Sequence, residues 1–251
     1  MWLMLTALSV RADGPTDPQT LAGIAEFTAA YQAWDGQRFA AAAEMFRSAT
    51  TNAAATVTNY YWLGTALFHL RLHWQHAPAP ATDPRAGEAA LEGAVDALSR
   101  AVKLDRRHAE CHALLGTLYG MRIDGNLMRA AWFGPRVEKH CHAAMKFGAA
   151  NPRVVYLLGT CQFHTAKKPA AWREALATFL QAERLFEAEA QVPPGPLEPR
   201  WGCASCLTFL GRTYERLGQP QEAAESFRKA LAKHPEDRLA REGLKRVTEK
   251  K

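Results

Sequence analysis

Two cysteines separated by two residues are the first group in this chain that could do chemistry. Cys203 and Cys206 have the spacing of redox-active thiol pairs, and a helix N-terminus lowers the pKa of a thiol. The pair opens a segment with apolar residues at helical spacing, and the alternating strands and helices that normally surround such a redox motif are missing. We therefore interpret both cysteines as packing residues and predict no catalytic residue.

A second group of chemically capable side chains lies between positions 108 and 142. It combines imidazole and thiol groups, which are zinc ligands: His108, Cys111, His112, His140, Cys141 and His142. Residues two apart on a helix point to different sides, so His140 and His142 do not converge on one ion. No second Cys-x-x-Cys pair lies close by. We predict no metal and no cofactor, and expect these side chains to be packed or to face solvent.

Other motifs of catalysis or of charge-driven binding are missing from the sequence. It contains no glycine-rich phosphate loop, no nucleophile elbow and no His-Glu-x-x-His pair. The net charge of +6 favours acidic partners, but it is too small and too evenly spread to indicate nucleic acid. A hydrophobic fraction of 48% over 251 residues is typical of a folded globular chain. The sequence therefore predicts a binding protein rather than an enzyme.

The elements that position these side chains are encoded by a repeating residue pattern. The pattern is clearest near the C-terminus. Residues recur there at fixed offsets: Leu210, Gly211, Tyr214, Gly218, Ala223, Phe227, Ala230 and Pro235. Residues 204–217 and 221–233 each have apolar positions at helical spacing, and 217–220 indicates a helix stop and restart. This unit resembles the tetratricopeptide repeat of about 34 residues, with Leu207 in place of the early tryptophan.

The same template predicts earlier units when it is moved back along the chain. Leu63-Gly64, Leu115-Gly116 and Leu158-Gly159 fall where further repeats would place their Leu-Gly pair. Small residues let paired helices approach closely, and large ones fill the gap to the next helix. We predict an all-α fold: a right-handed α-solenoid of about five tetratricopeptide helix pairs, spanning 15–237, plus a basic capping helix at 238–251. The predicted units are 23–56, 57–108, 109–151, 152–189 and 204–237.

Several stretches interrupt this repeat. We expect an insertion rich in alanine and proline at 75–87, a short one near Lys167, and a non-helical stretch at 192–199, where four prolines prevent a helix. In the third repeat the second helix is expected at about 135–148, after a break at 132–135. These loops interrupt the stack without ending it, so we expect one solenoid that bends after the fourth repeat.

The resemblance implies that the first helix of each pair lines a concave face where a partner binds. The predicted partner-binding residues, carried over from the family pattern, are Tyr61, Thr65, Phe68, His69, Arg153, Tyr156, Thr160, Phe163, His164 and Arg212. Aromatic anchors with arginine clamps would suit an extended or helical peptide. Aromatic stripes at helical spacing are also typical of core packing, and both interpretations stay open.

The resemblance implies a scaffold or adaptor of bacterial type. It would bind a peptide or an acidic surface of another protein. Two alternatives stay open. One is an adaptor on a tubulin-like cytoskeletal filament, by a loose resemblance to kinesin light chains. The other is a periplasmic binder of a small ligand, which would use the aromatics of repeats 2 and 4 around a closed pocket.

The N-terminus determines the predicted compartment. Residues 1–10 are nearly all apolar, and Val10-Arg11-Ala12 resembles the end of a signal peptide, although the usual basic start is missing. A signal within residues 1–14 would direct the chain to the periplasm, and without one we expect the cytoplasm. Membrane association is predicted only through residues 1–12, because no other stretch is long and apolar enough to span a bilayer.

Overall fold

The computed structural model describes residues 17–51, 55–76 and 83–249, which form eleven α-helices and no strand. Ten of these helices make five consecutive hairpins: α1 (Pro18–Ala33) with α2 (Gly36–Ala49), α3 (Val57–His76) with α4 (Pro84–Leu104), α5 (Ala109–Ile123) with α6 (Leu127–Gly148), α7 (Pro152–Thr165) with α8 (Pro169–Ala190), and α9 (Cys203–Arg216) with α10 (Pro220–Lys233). The last helix is α11 (Arg238–Glu249). The predicted all-α solenoid of five helix pairs and a capping helix is confirmed.

The predictions about a membrane-spanning helix and about a targeting signal concern different parts of the chain. Among the described helices, none is long and apolar enough to cross a membrane. The apolar N-terminal segment and its signal-like end at residues 10–12 lie outside the described residues.

Side-chain caps and prolines determine where several helices begin. Asp35 accepts hydrogen bonds from the backbone N–H groups of Gln37 and Arg38, and Asn151 caps α7 in the same way. Proline occupies the first turn of α1, α4, α7, α8 and α10, where its missing N–H has no helical partner to lose. The chain therefore encodes its hairpins by local signals, before any packing between repeats.

Close contact between a glycine and a large side chain holds each of four hairpins together. A Cβ atom added at Gly23, Gly159 or Gly211 would lie closer than 3.0 Å to a buried phenylalanine of the second helix. Gly64 faces Leu98 in the same manner. The facing residues are Phe46, Phe179 and Phe227, and they are fully buried, as is Leu98. This confirms that small and large residues alternate to bring paired helices together.

The third hairpin departs from this scheme and from the prediction. Gly116 faces the Sγ atom of Cys141, at 2.9 Å from an added Cβ, rather than a large side chain. Helix α6 begins at Leu127 and continues through Pro135, so the expected break at 132–135 and the start of the second helix near 135 were wrong. Asn126 caps this helix through the backbone N–H of Arg129. Pro135 is exposed, and a proline on the solvent side of a helix leaves the carbonyl that it cannot bond accessible to water.

The other interruptions match the prediction in part. Residues 192–199 are non-helical, as four prolines require. The insertion at 75–87 is shorter than expected, because α3 extends to His76 and α4 already begins at Pro84, capped by Asp83. Helix α11 packs on the fifth hairpin, with Gly243 against the ring of Phe227. The end of the stack is therefore covered by a helix with a charged outer side.

Candidate functional site

Eight of the ten residues predicted to bind a partner lie in the interior. Tyr61, Thr65, Phe68, His69, Arg153, Tyr156, Thr160 and Phe163 are each at most 7% exposed. For these side chains the core-packing interpretation holds, so they do not line an open groove. His164 is exposed and Arg212 is half-buried. Whether these two contact a partner stays a prediction.

The residue that covers much of this inner face is Trp201, which the sequence analysis missed. It lies in the non-helical segment 191–202 and is 2% exposed. Its Nε1–H donates to the hydroxyl of Tyr61 at 3.1 Å, and its ring lies 5.1 Å from that of His69. The segment before the fifth repeat therefore fills the concave side of the second repeat.

Contacts to the first repeat complete this closure. The backbone N–H of Gly202 donates to the hydroxyl of Tyr31 at 3.0 Å. The ring of His234, in the turn before α11, stacks on Tyr31 at 6.1 Å and lies 5.9 Å from Trp34. The first and last repeats thus meet across the inner face. We call this set of contacts the inner closure: Tyr31, Trp34, Tyr61, His69, Trp201, Gly202 and His234.

A buried ionic network occupies the adjoining part of the interior. Glu110 accepts hydrogen bonds from Arg153 Nε at 2.8 Å, from the side-chain amide of Asn151 at 2.7 Å, and from the hydroxyl of Tyr61. The other face of Arg153 forms two bonds to Glu189, at 2.7 and 3.0 Å. The proposed arginine clamp is therefore already fully bound inside the chain. Arg153 is a structural residue, and its assignment to a partner-binding surface is corrected.

The ionisation of this network follows from its contacts. Burial alone raises the pKa of Glu110, but Arg153 and the hydrogen-bond donors outweigh burial, so the pKa is lowered. Burial and the neighbouring Glu110 raise the pKa of Tyr61 well above its usual value. The carboxylate is therefore charged and the phenol keeps its proton, which it donates to Glu110. These contacts join side chains of repeats 2, 3 and 4.

His69 is a buried, uncharged histidine at the centre of the inner closure. Its Nδ1–H donates to the carbonyl of Thr65 at 2.8 Å, and aromatic rings surround it. Burial lowers its pKa to about 4, against about 6.5 in an unfolded chain. A charged imidazole would lack any acidic partner here, so this residue makes folding sensitive to acid.

We expect the protein to lose about 2 kcal/mol of unfolding free energy between pH 7 and pH 5 through His69. Because the folded pKa is depressed, this stabilisation is complete above pH 6.5 and is lost as the pH falls towards 4. Urea unfolding of the wild type and of His69→Asn, whose amide can still donate to Thr65, measures the difference. A variant with the same pH slope as the wild type would refute this assignment.

The accessible end of the inner face is basic. The guanidinium of Arg212 lies 4.8 Å from the ring of Phe209 and 4.9 Å from that of Phe163. One turn later, Arg216 lies 5.8 Å over the ring of Trp172. The basic side chains on this side are defined here as the basic cluster: His76, His164, Arg212, Arg216 and Arg238.

Arg212 is a half-buried member of the basic cluster. Among the described residues no carboxylate lies at ion-pair distance from it, and the nearby Glu215 is engaged by Arg246 at 3.0 Å. Burial lowers the pKa of Arg212, and the like charges of Arg216 and Arg246 lower it further. A half-buried guanidinium in contact with two aromatic rings is suited to bind a carboxylate.

Burial raises the pKa of both thiols of the candidate redox pair, Cys203 and Cys206. Cys206 is buried and Cys203 half-buried, and all five cysteines are free. His112 and His140 meet at 2.9 Å between their Nδ1 atoms, but the other nitrogen of His112 donates to the carbonyl of Arg106. Within the described ranges no three His, Cys, Asp or Glu side chains converge as metal ligands would.

The fold and one repeat can be compared with known proteins. Residues 204–247 match the tetratricopeptide repeat family model. A thermophilic TPR protein of Thermus thermophilus, TTC0263, has a TM-score of 0.62 at 15% identity, over 91% of this chain and 98% of that one. The HusA haemophore from Porphyromonas gingivalis has a TM-score of 0.60 at 18% identity, over 78% of this chain and 92% of the other.

A curated relative is similar over a shorter stretch. The HTH-type transcriptional regulator GlxA of Rhizobium meliloti (strain 1021) is 31% identical over 93 residues. The match covers 35% of this chain and 29% of that protein, so the chain spans less than a third of its length. Its last repeat matches the tetratricopeptide-repeat family model and its whole stack matches solved structures in shape, so the chain has a tetratricopeptide-repeat fold.

Proposed function

We propose that the chain is a non-enzymatic scaffold that binds an acidic peptide segment of a partner protein at the basic cluster around Arg212. The main support is the environment of Arg212: its guanidinium is partly desolvated, no carboxylate of the described residues lies at ion-pair distance from it, and the nearby Glu215 is paired with Arg246. Burying a cation without a counter-charge is costly, and a carboxylate from outside would remove that cost. The fold supports a protein as the source of that carboxylate.

The shape of the inner face favours a peptide chain over a small molecule. The aromatics of repeat 2 pack on Trp201 and those of repeat 4 pack on Phe209, and these side chains are buried in the part of the chain described, so they do not surround a closed pocket. An open depression of about 670 Å³ borders Phe147 and Glu189, but Arg153 and Glu189 are already paired there. The small-ligand alternative, including a haem of the kind named for HusA, is therefore less well supported.

Binding of acidic peptides tests this proposal. We would label three peptides of equal length and equal apolar content that carry glutamate, glutamine or lysine at their polar positions. We expect the glutamate peptide to bind most tightly and Arg212→Gln to weaken it about tenfold, because one charge-assisted pair contributes about 1.4 kcal/mol or more. Fluorescence anisotropy at two salt concentrations measures the affinity of each peptide for the wild type and for Arg212→Gln.

The matched control is Arg100→Gln, which removes the same charge from an exposed pair with Asp96 on α4. It should leave the affinity nearly unchanged. If Arg100→Gln and Arg212→Gln lose equal affinity for the glutamate peptide, net charge alone is responsible for binding. That result would contradict a site at Arg212. An adaptor on an acidic filament would use the same cluster, so filament co-sedimentation with the same variants tests that alternative.

A further inference from the structure

Three large apolar side chains stand exposed at the end of the α5–α6 hairpin. Leu127 is 87% exposed, Met128 85% and Trp132 66%, which are the highest values among large hydrophobic residues in the described ranges. They occupy the first two turns of α6, directly after the turn at 124–126, and lie on one side of the helix. We refer to these three residues as the apolar tip.

The apolar tip is exposed because α6 packs differently from the other second helices. Helix α6 lies along α5 but has little contact with α7, and Ala144 is its only buried residue. An added Cβ at Gly120 or Gly134 would meet nothing within 4 Å. The far half of this hairpin therefore stands away from the next repeat. Nothing in the described chain covers the tip, so its apolar surface is available to something outside.

Positive charge surrounds the apolar tip. Residues 122–139 contain four basic side chains and two acidic ones: Arg122, Arg129, Arg136 and Lys139 against Asp124 and Glu138. Arg136 stacks on the ring of Trp132 at 5.1 Å and bonds its backbone carbonyl at 2.7 Å. Arg122 lies 5.6 Å from the ring of Phe133. No ion pair of the described chain uses any of the four basic side chains, and Arg129 and Lys139 are exposed.

We propose that the apolar tip and its arginines dock on the surface of an anionic lipid bilayer. Tryptophan favours the bilayer interface, leucine and methionine can enter the acyl boundary, and arginine reaches lipid phosphates. A second copy of this chain would bring the same arginines face to face, which disfavours self-association at the tip. An acidic partner protein is less well matched, because the tip is a projecting helix end rather than a groove.

Vesicle co-sedimentation tests this proposal on the full chain. The probes are vesicles of phosphatidylcholine alone and of phosphatidylcholine mixed with phosphatidylglycerol. We expect the wild type to bind the mixed vesicles at least about tenfold more tightly, and binding to weaken with salt. The variant Leu127→Ser/Met128→Ser/Trp132→Ser should lose at least about tenfold of that affinity. These side chains are exposed, so its melting temperature should match the wild type.

The matched control removes exposed apolar side chains elsewhere, as Leu104→Ser/Val192→Ser, at 57% and 60% exposure. It should bind vesicles as the wild type does. The proposal is contradicted if the wild type does not bind anionic vesicles. It is also contradicted if the tip variant binds them as tightly as the wild type, since binding would then arise from other residues such as 1–12. Loss of glutamate-peptide binding in the tip variant, without any vesicle binding, would assign the tip to a protein partner instead. Arg212→Gln should keep vesicle binding, which separates this test from that of the proposed function.

Discussion

Replacing Trp201 with alanine lowers the free energy of unfolding by about 3–5 kcal/mol, because the burial of a large indole is lost and a cavity is left in its place. The substitution also removes the donor to Tyr61 and the ring contact with His69. A loss of this size is a large part of the stability of an ordinary domain. Urea unfolding followed by circular dichroism measures the change.

Trp132→Ala is the matched control for this prediction. It deletes the same side chain from a position that is 66% exposed, against 2% for Trp201. We expect its unfolding free energy to stay within about 0.5 kcal/mol of the wild type, as is usual for surface positions. Similar losses at the two tryptophans would show that segment 191–202 does not fill the inner face.

Replacing Arg153 with methionine costs about 3–5 kcal/mol of unfolding free energy at pH 7, because Glu110 is left buried without its counter-charge. The loss should shrink as the pH falls. In the variant, burial raises the pKa of Glu110, so the carboxyl takes up a proton that the wild type excludes at the same pH. Chemical unfolding of the wild type and of Arg153→Met measures their difference in unfolding free energy at pH 7 and at pH 5.

A second substitution separates the lost charge pair from lost packing. Arg153→Met/Glu110→Gln removes both charges, and we expect it to recover much of the stability lost in the single variant. Arg246→Met removes an arginine from a largely exposed pair with Glu215, so its effect should be far smaller. A double variant no more stable than Arg153→Met would contradict the ionic account of this network.

The helix pairs could be predicted because their signals are local. The Leu-Gly spacing recurs in repeats 2 to 5, and in three of these repeats the glycine meets a large side chain of the second helix, as Gly211 meets Phe227. The proline-rich stretch at 192–199 could be predicted for the same reason, since proline excludes a helix wherever it occurs several times. These features depend on neighbours within one repeat.

The third hairpin could not be predicted because two local signals conflicted. Pro135 indicates a helix boundary, while Asn126 caps a helix that runs past it. In the structure, α6 begins directly after the Asn126 cap and continues past Pro135. The small Cys141 opposite Gly116 gives α6 its different packing. The exposed tip at Leu127 and Trp132 follows from this departure, so sequence periodicity alone did not reveal it.

The candidate site depends on contacts between distant residues, which a repeat pattern does not encode. Tyr61 and Trp201 are 140 positions apart, and Glu110 and Arg153 are 43 apart. Two signals could have pointed to them. A lone tryptophan in a proline-rich segment needs an apolar environment, and Glu110 and Arg153 are opposite charges at the second position of successive repeats. The repeat pattern therefore did not reveal that the inner face is filled and that eight of the ten predicted residues are buried.

The amide of Gly202 reports directly on the inner closure. Its N–H donates to Tyr31 across 171 positions of sequence. We expect hydrogen exchange by NMR to show this amide protected in the wild type, and protection to be lost in Tyr31→Phe but kept in Tyr60→Phe. A Gly202 amide that exchanges in the wild type as fast as in a free peptide would show that the first and last repeats do not meet, and would contradict the closed inner face.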